Sequence, residues 1–472
     1  MADPARPVVR RGRLVAMLAV ALLAGLGPGA PARADGLVEA WHAARSADPE
    51  LAVSRAERAA GAARGTQAGT LWQPQVSLSA AGGIGRSESA IDGARFGAPG
   101  FGTADGASFR TSVDGASGRL ALQARQPLWS GERRAQTAQL GFAAESAEHA
   151  WRAAEQAAML RVATHWLDVS LAAHALRVVG RQQVAIDRAL AEATDRWRIG
   201  DAPVIGTHEA RARSEGVRAQ AITRRTDLAL REAALADLMG RPAGTLRPGA
   251  MPRSSAIEDP APHTLRHWVD AAAGGNPELR ALEAATRVAR AEAARLERGA
   301  QTSVDLVATA SRERIGGTGD FGPAASASTQ GLVGVQISVP LWTGGQTEAR
   351  REEALRLAER ADAALDRARR RVAREVQAAW LGLEAGVQRI AALEQSLVAS
   401  EARLSTTRTG LEVGDRTTLD VLNAESDFAH AELALAQARS ARLLDGLRLA
   451  ALAGVLDEPQ LAQIDARLEP ER

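Results

Sequence analysis

Gln126-Pro127-Leu128-Trp129-Ser130-Gly131 is written again as Val339-Pro340-Leu341-Trp342-Thr343-Gly344, 213 residues further on. On its C-terminal side the echo continues at an offset of 214: Trp166-Leu167 meets Trp380-Leu381, Gly200-Asp201 meets Gly414-Asp415, and Leu238-Met239-Gly240 meets Leu452-Ala453-Gly454. On its N-terminal side Asp48-Pro49-Glu50-Leu51 matches Asn276-Pro277-Glu278-Leu279 at 228. Matches held at a nearly fixed spacing mean a tandem duplication. The larger offset before the motif gives the first copy about 15 extra residues, and the Gly- and Ser-rich stretch from Gly82 to Gly118 predicts a long loop there.

Immediately before each copy of the motif the hydrophobic period changes to two. Val76, Leu78 and Ala80, then Leu120, Leu122 and Ala124, alternate with polar or small residues in the first half. Val304, Leu306, Ala308 and Ala310, then Val333, Val335, Ile337 and Val339, do so in the second. Strict alternation with one apolar face predicts strands, and runs of about ten residues suit a tilted strand crossing a bilayer core. Trp72, Trp129 and Trp342 lie at strand ends, each two residues from a proline: Pro74, Pro127 and Pro340. Proline fits where sheet pairing stops, and tryptophan fits a membrane interface.

After each copy of the motif the chain turns helical. No proline interrupts Ser130 to Ile199 or Thr343 to Val413, and Ala, Arg, Glu, Leu and Gln dominate both. At ~1.5 Å per residue each segment extends roughly 100 Å. Val376, Leu383, Ile390, Leu397, Leu404 and Leu411 recur every seven residues, and Val162, Val169, Leu176, Gln183, Leu190 and Trp197 hold the same phase in the first half. That period predicts coiled-coil packing. A Gly-Asp turn at Gly200-Asp201 or Gly414-Asp415 then sends a second helix back to Gly240 or Gly454, making two helical hairpins.

The whole plan is a leader over 1–34; a first repeat over 35–240, with strands at about 75–84 and 118–127 and a hairpin over 130–240; and a linker over 241–275. A second repeat over 276–457 follows, with strands at about 302–311 and 331–340 and a hairpin over 343–457, then a tail over 458–472. The leader reads as a signal peptide: Arg6, Arg10, Arg11 and Arg13 precede an apolar run from Leu14 to Leu26, and Ala32-Arg33-Ala34 offers small residues for cleavage. No later segment supplies the 18 uninterrupted apolar residues of a spanning helix, so an exported chain would enter a membrane only as β-structure.

Composition narrows the function. The 472 residues hold 58 basic and 56 acidic side chains, every basic one an arginine, with no basic block of the kind that binds nucleic acid. The absence of cysteine excludes disulfides, thiolate metal sites, cysteine nucleophiles and lipid attachment to an N-terminal cysteine. Gly317-Thr318-Gly319-Asp320-Phe321-Gly322 matches a dinucleotide fingerprint by letter, but Pro323 follows where a helix is required, so a surface hairpin loop is the expectation. His263 and His267 stand four apart without a third metal ligand. Neither an enzyme nor a cofactor or metal site is expected.

Four strands cannot close a barrel, and an open edge in lipid leaves peptide groups unpaired. Partners must supply the rest: two copies give eight strands and three give twelve, and because eight leave an interior just filled by side chains, a conduit needs at least three. A trimeric coiled-coil adhesin is the competing plan, but it would place its strand-forming segment near one terminus, not in both halves.

Together with this plan, the run Glu412-Val413-Gly414-Asp415-Arg416-Thr417-Thr418-Leu419-Asp420-Val421-Leu422-Asn423-Ala424-Glu425 resembles the TolC family of outer-membrane efflux factors over essentially the whole mature chain. The resemblance implies a mainly helical protein with a β-barrel portion, a homotrimer sharing a twelve-stranded outer-membrane barrel and a twelve-helix periplasmic tunnel. It also implies an inner-membrane pump and an adaptor as partners. Many drug-efflux members carry a lipid-bearing cysteine, which this chain lacks. It is more similar to the type I secretion branch, in which an ABC transporter passes an unfolded polypeptide outward, here with an adenylate cyclase-haemolysin toxin as the implied cargo. Small-molecule efflux by the same fold stays open.

By that resemblance the hairpin tips close the periplasmic end. Asp420 matches an acidic position ringing the narrowest point, where three carboxylates about one axis would attract cations and raise one another's pKa. Asn423 stands where members often carry a second Asp, and Arg416 matches an arginine that ties the inner hairpin to its neighbour. Gly206 and Thr207 occupy the region of that arginine's usual acidic partner. Gly200, Asp201, Gly414 and Asp415 would dock the partner exporter. Read on its own, Asp420 also fits a solvated helix-start charge.

Overall fold

The computed structural model describes residues 36–242 and 264–466, except positions 101, 300 and 321. The leader over 1–34, most of the linker, His263, Phe321 and the end of the tail lie outside the described residues. In chain order the elements are α1 (Leu37–Ala47), α2 (Pro49–Thr70), β1 (Gln75–Ala98), β2 (Gly102–Ser130), α3 (Gly131–Arg198) and α4 (Val204–Leu238). Then come α5 (Leu265–Gly275), α6 (Pro277–Gly299), β3 (Ser303–Gly319), β4 (Gly322–Ser338), α7 (Gln346–Glu412), α8 (Thr418–Ala453) and α9 (Glu458–Asp465).

The four strands form one antiparallel sheet in the order β1-β2-β3-β4. Its register puts the alternating apolar residues of all four strands on one face: Leu78 pairs Leu122, Leu122 pairs Ala310, and Leu306 pairs Val335. That face is bare. Val76, Leu78, Ile84, Val333, Val335 and Ile337 are each more than half exposed. An apolar stripe at the strand period, left open on a sheet, is what a lipid-facing wall requires. On the opposite face Asp305 is buried and accepts a hydrogen bond from Arg125.

The structure corrects the strand boundaries. Residues 82–118, expected as a loop, are sheet almost throughout, with Gly82 opposite Gly118 and Gly85 opposite Gly115. Glycine and serine lack bulk, but ladder hydrogen bonds need only backbone, and a neighbour on each side lets β2 carry them. Beyond Val113, β2 pairs with β1 alone, so Glu88–Ala98 and Gly102–Ser112 form a two-stranded ribbon past the end of β3. Gly317-Thr318-Gly319 is likewise the end of β3 and not a loop. At the other end the two copies diverge: β2 runs through Pro127 with a bulge before Trp129, whereas β4 stops at Ser338 and leaves Val339–Thr343 irregular. β2 has a partner on both sides; β4 is an edge.

Two compact units are present, and each draws on both repeats. One holds 53–155 and 271–374, with the sheet; the other holds residues up to 52, 156–270 and 375 onward, with the hairpin tips. In the second unit α9, from the expected tail, packs Leu461 and Ile464 beside the fully buried Leu37 and Trp41 of α1. Asp465 accepts from the Leu37 and Val38 amides, capping α1, whose N-cap Gly36 offers no side chain. The Asp-Pro and Asn-Pro echoes are helix starts as well. Glu50 N–H donates to Asp48 Oδ1 at 2.8 Å, and Leu279 N–H to Asn276 Oδ1 at 3.0 Å, with proline at the first helical position of α2 and α6.

Candidate functional site

Both hairpin tips turn the same way. Gly200 has φ 80° and Gly414 φ 82°, left-handed values that cost an L-residue strain and glycine nothing. Gly200 N–H donates to Trp197 O at 3.0 Å and Asp201 N–H to Arg196 O at 2.8 Å; Gly414 to Leu411 at 3.2 Å and Asp415 to Gly410 at 2.8 Å repeat the pattern. This is the Schellman closure, which satisfies the last helical carbonyls. Arg196 Nε donates to Asp201 Oδ2 at 2.7 Å, so Asp201 is tied within its own turn.

The helix returns differ. α4 starts at Pro203, which offers no side-chain cap. α8 starts with a full capping box: Asp420 N–H donates to Thr417 Oγ1 at 3.2 Å, and Thr417 N–H to Asp420 Oδ2 at 2.9 Å. Thr417 Oγ1 adds a bond to the same carboxylate at 2.8 Å. These bonds, first from the backbone and then from the side chain of Thr417, with Arg416 and Arg403 nearby, hold the partly exposed Asp420 carboxyl below the usual carboxylate range. Within one chain the shift is therefore opposite to the one expected of a crowded ring, and the helix-start role is filled.

Arg416 lays its stem over Gly410, its N–H donates to Gly410 O at 3.1 Å, and its Nε lies 3.9 Å from Asp415 Oδ2. Asn423 accepts from Arg213 Nη2 at 3.0 Å, joining α8 to α4. Thr207 is buried and donates to Ala193 O at 3.3 Å, inside its own hairpin. Of the tip residues singled out from the sequence, Asp420, Arg416 and the Gly-Asp pairs contact the turns directly, whereas Asn423 bonds to α4 of the other hairpin. Trp72 is half-buried in the turn before β1, Trp129 is 41% exposed and Trp342 is 89% exposed.

The sequence reading missed the ties that hold the hairpins above the tips. Arg408 pairs with the buried Glu425, and Arg403 with Asp427 at 2.5 Å, both between α7 and α8. Between α3 and α8, Gln182 Nε2 donates to Ser426 Oγ at 3.2 Å and Arg181 pairs with Glu432. Between α3 and α4, Ser214 Oγ donates to Asp187 Oδ1 at 2.6 Å. An arginine on one long helix opposite an acid on the next carries no local signature; only the helix register could have exposed it. Farther up α3, His174 is half-buried with no hydrogen bond to Nε2, 3.6 Å from Glu432 Oε1, and burial keeps its pKa below the ordinary histidine value.

Comparison with known proteins agrees with the fold. The chain is 25% identical over 436 residues to the outer membrane protein TolC of Vibrio cholerae, covering 92% of this chain and 94% of that one. It is 26% identical to the alkaline protease secretion protein AprF of Pseudomonas aeruginosa, covering 91% and 87%. Among solved structures it shares the fold of the Vibrio cholerae outer membrane protein VceC, with a TM-score of 0.69, 21% identity and coverage of 89% and 96%. CusC gives a TM-score of 0.70 at 17% identity, covering 89% and 92%. A family model described as outer membrane efflux protein matches residues 40–241 and 268–455, so the chain belongs to the outer membrane efflux protein family.

Proposed function

We infer that three copies of this chain close a twelve-stranded barrel continuous with a twelve-helix tunnel, and that the assembly is a passive conduit for an unfolded polypeptide. An inner-membrane ABC transporter and a periplasmic adaptor supply the direction; the channel supplies a wet path and a gate. The observation that carries this reading is the sheet: one exposed apolar face, and two edges, β1 and β4, with no neighbouring strand among the described residues. In lipid those edges demand partners, which the free β1 and β4 edges of other copies can supply. Asp420 then lines the periplasmic constriction, Arg416 and Asn423 belong to its gate, the turns at Gly200-Asp201 and Gly414-Asp415 meet the exporter, and Trp72, Trp129 and Trp342 lie at the membrane interface.

Polypeptide cargo is supported by relatives named for protease secretion, AprF and the PrtF protein of Dickeya chrysanthemi. The Lys-free, Ala- and Arg-rich chain further resembles the secretion protein of the Bordetella adenylate cyclase toxin, and we propose an adenylate cyclase-haemolysin toxin as the cargo. A second reading, small-molecule efflux, is favoured by the family description and by the Brucella suis relative named outer membrane efflux protein BepC. Deleting the gene separates them. Loss of toxin export with unchanged drug sensitivity supports secretion; drug hypersensitivity with normal export overturns it.

A further inference from the structure

Arg312 and Arg314 of β3 are out of place on the face they occupy. No bulge interrupts β3, so both continue the row of Val304, Leu306, Ala308 and Ala310 on the apolar face. Both are exposed, and neither makes an ion pair with the described residues. Their cross-strand neighbours are small or uncharged: Leu120 and Thr329 flank Arg312, Gly118 and Ala327 flank Arg314. The two exposed arginines are therefore successive residues on one face of β3, flanked by small or uncharged neighbours. The acidic Glu313 between them points to the other face. β3 has a strand on each side within the chain, so closure through β1 and β4 leaves this patch uncovered.

Position along the strand identifies the occupant. The apolar row begins at Val304, opposite Ile337 and beside Trp129, at the end where the strands meet the helices. At ~3.3 Å per residue and a tilt of ~40°, Arg312 and Arg314 stand roughly 20 and 25 Å above Val304, the height of an outer-membrane apolar band. They thus sit at the far rim, at the headgroup level of the outer leaflet. Two guanidinium forks at that level match a phosphate on a lipid, and their planar donors engage phosphate bidentately. We propose that Arg312 and Arg314 bind the phosphate of a phosphorylated glycolipid of the outer leaflet, fastening the barrel wall to the lipid around it. The proposal rests on reading the sheet as the membrane wall.

Native mass spectrometry of the detergent-purified full chain tests it, with diphosphoryl lipid A and its dephosphorylated form as probes. Wild type should retain the diphosphoryl form over the phosphate-free one, and R312Q/R314Q should lose that preference, by roughly fivefold per arginine. R119Q, which removes a charge from the opposite face of the neighbouring strand, should leave it intact. Equal retention of both lipids by wild type, or unchanged preference in R312Q/R314Q, overturns the proposal. Failure of the sheet reading has its own sign: purified wild type without a β-rich, heat-modifiable oligomer.

Discussion

Gly115 and Gly317 face each other across β2 and β3 with no space between them. A methyl group on Gly115 would approach the Gly316 carbonyl oxygen well under 3.0 Å, and one on Gly317 the Asp114 oxygen equally closely. Because the obstacles are backbone atoms, no rotamer change relieves them, and the strands must part. Gly115→Ala should therefore cost about 1–3 kcal/mol, as overpacking does, while Gly118→Ala, with nothing within 4 Å, should be near neutral. Melting temperature of the folded barrel distinguishes the two. His174 makes a second prediction. Burial is the main cause of its lowered pKa, with Arg177, Arg181 and Arg439 adding to it and Glu432 opposing. A histidine that binds its proton less readily when folded favours folding above its unfolded pKa of about 6.5, and that contribution is lost as pH falls through the lowered folded value. His174→Gln should thus flatten the decline in melting temperature between pH 7 and pH 5; an identical pH slope in both proteins would count against it.

The helical hairpins owe their ends to local chemistry and their alignment to long-range charge. Thr417 caps α8 through both its hydroxyl and its amide, so Thr417→Ala should weaken the tip by about 1 kcal/mol, with earlier amide exchange in the first turn of α8. Removing Arg408 is more damaging than its own exposure suggests, because Glu425 would remain buried without its partner. With Arg408 half exposed, Arg408→Ala should cost ~1–2 kcal/mol by thermal melting, and Glu425→Gln less, since a neutral amide is easier to bury. What the sequence disclosed divides along the same line. Glycine at a helix end is decided by neighbours within a few residues, and Gly200 and Gly414 were legible for that reason; Asp48-Pro49 and Asn276-Pro277 were read only as a repeat, although equally local bonds make them helix starts. The Arg408–Glu425 and Arg213–Asn423 ties depend on how one long helix is set against another, which no short motif encodes. The stretch from Gly82 to Gly118 misled because composition reports side-chain packing, whereas this ribbon is held by backbone pairing that glycine and serine permit.

For the assembly, the duplicated chain is half an argument and the unpaired edges are the other half. Two strand pairs and two hairpins per chain were readable from the repeat at 214 residues, and so was the need for partners; the number three came from family resemblance. Properties that arise only on closure lie beyond any single chain, and Asp420 shows the difference. In one subunit its carboxyl is charged, partly exposed and occupied in capping α8, with a pKa held down by Thr417. In the proposed trimer, threefold symmetry would add two more carboxylates around the same axis, whose repulsion would oppose that lowering and whose summed field would attract cations. Capping and ring roles separate under mutation, because Asn at the same position retains a side-chain oxygen for the Thr417 amide but carries no charge. Asp420→Asn should accordingly leave thermal stability within about 0.5 kcal/mol of wild type. In planar bilayers it should lower cation preference and weaken block by divalent ions added from the tunnel side. If selectivity and block match wild type while the oligomer is intact, Asp420 is a helix cap alone, and the constriction must be sought on another turn of α8.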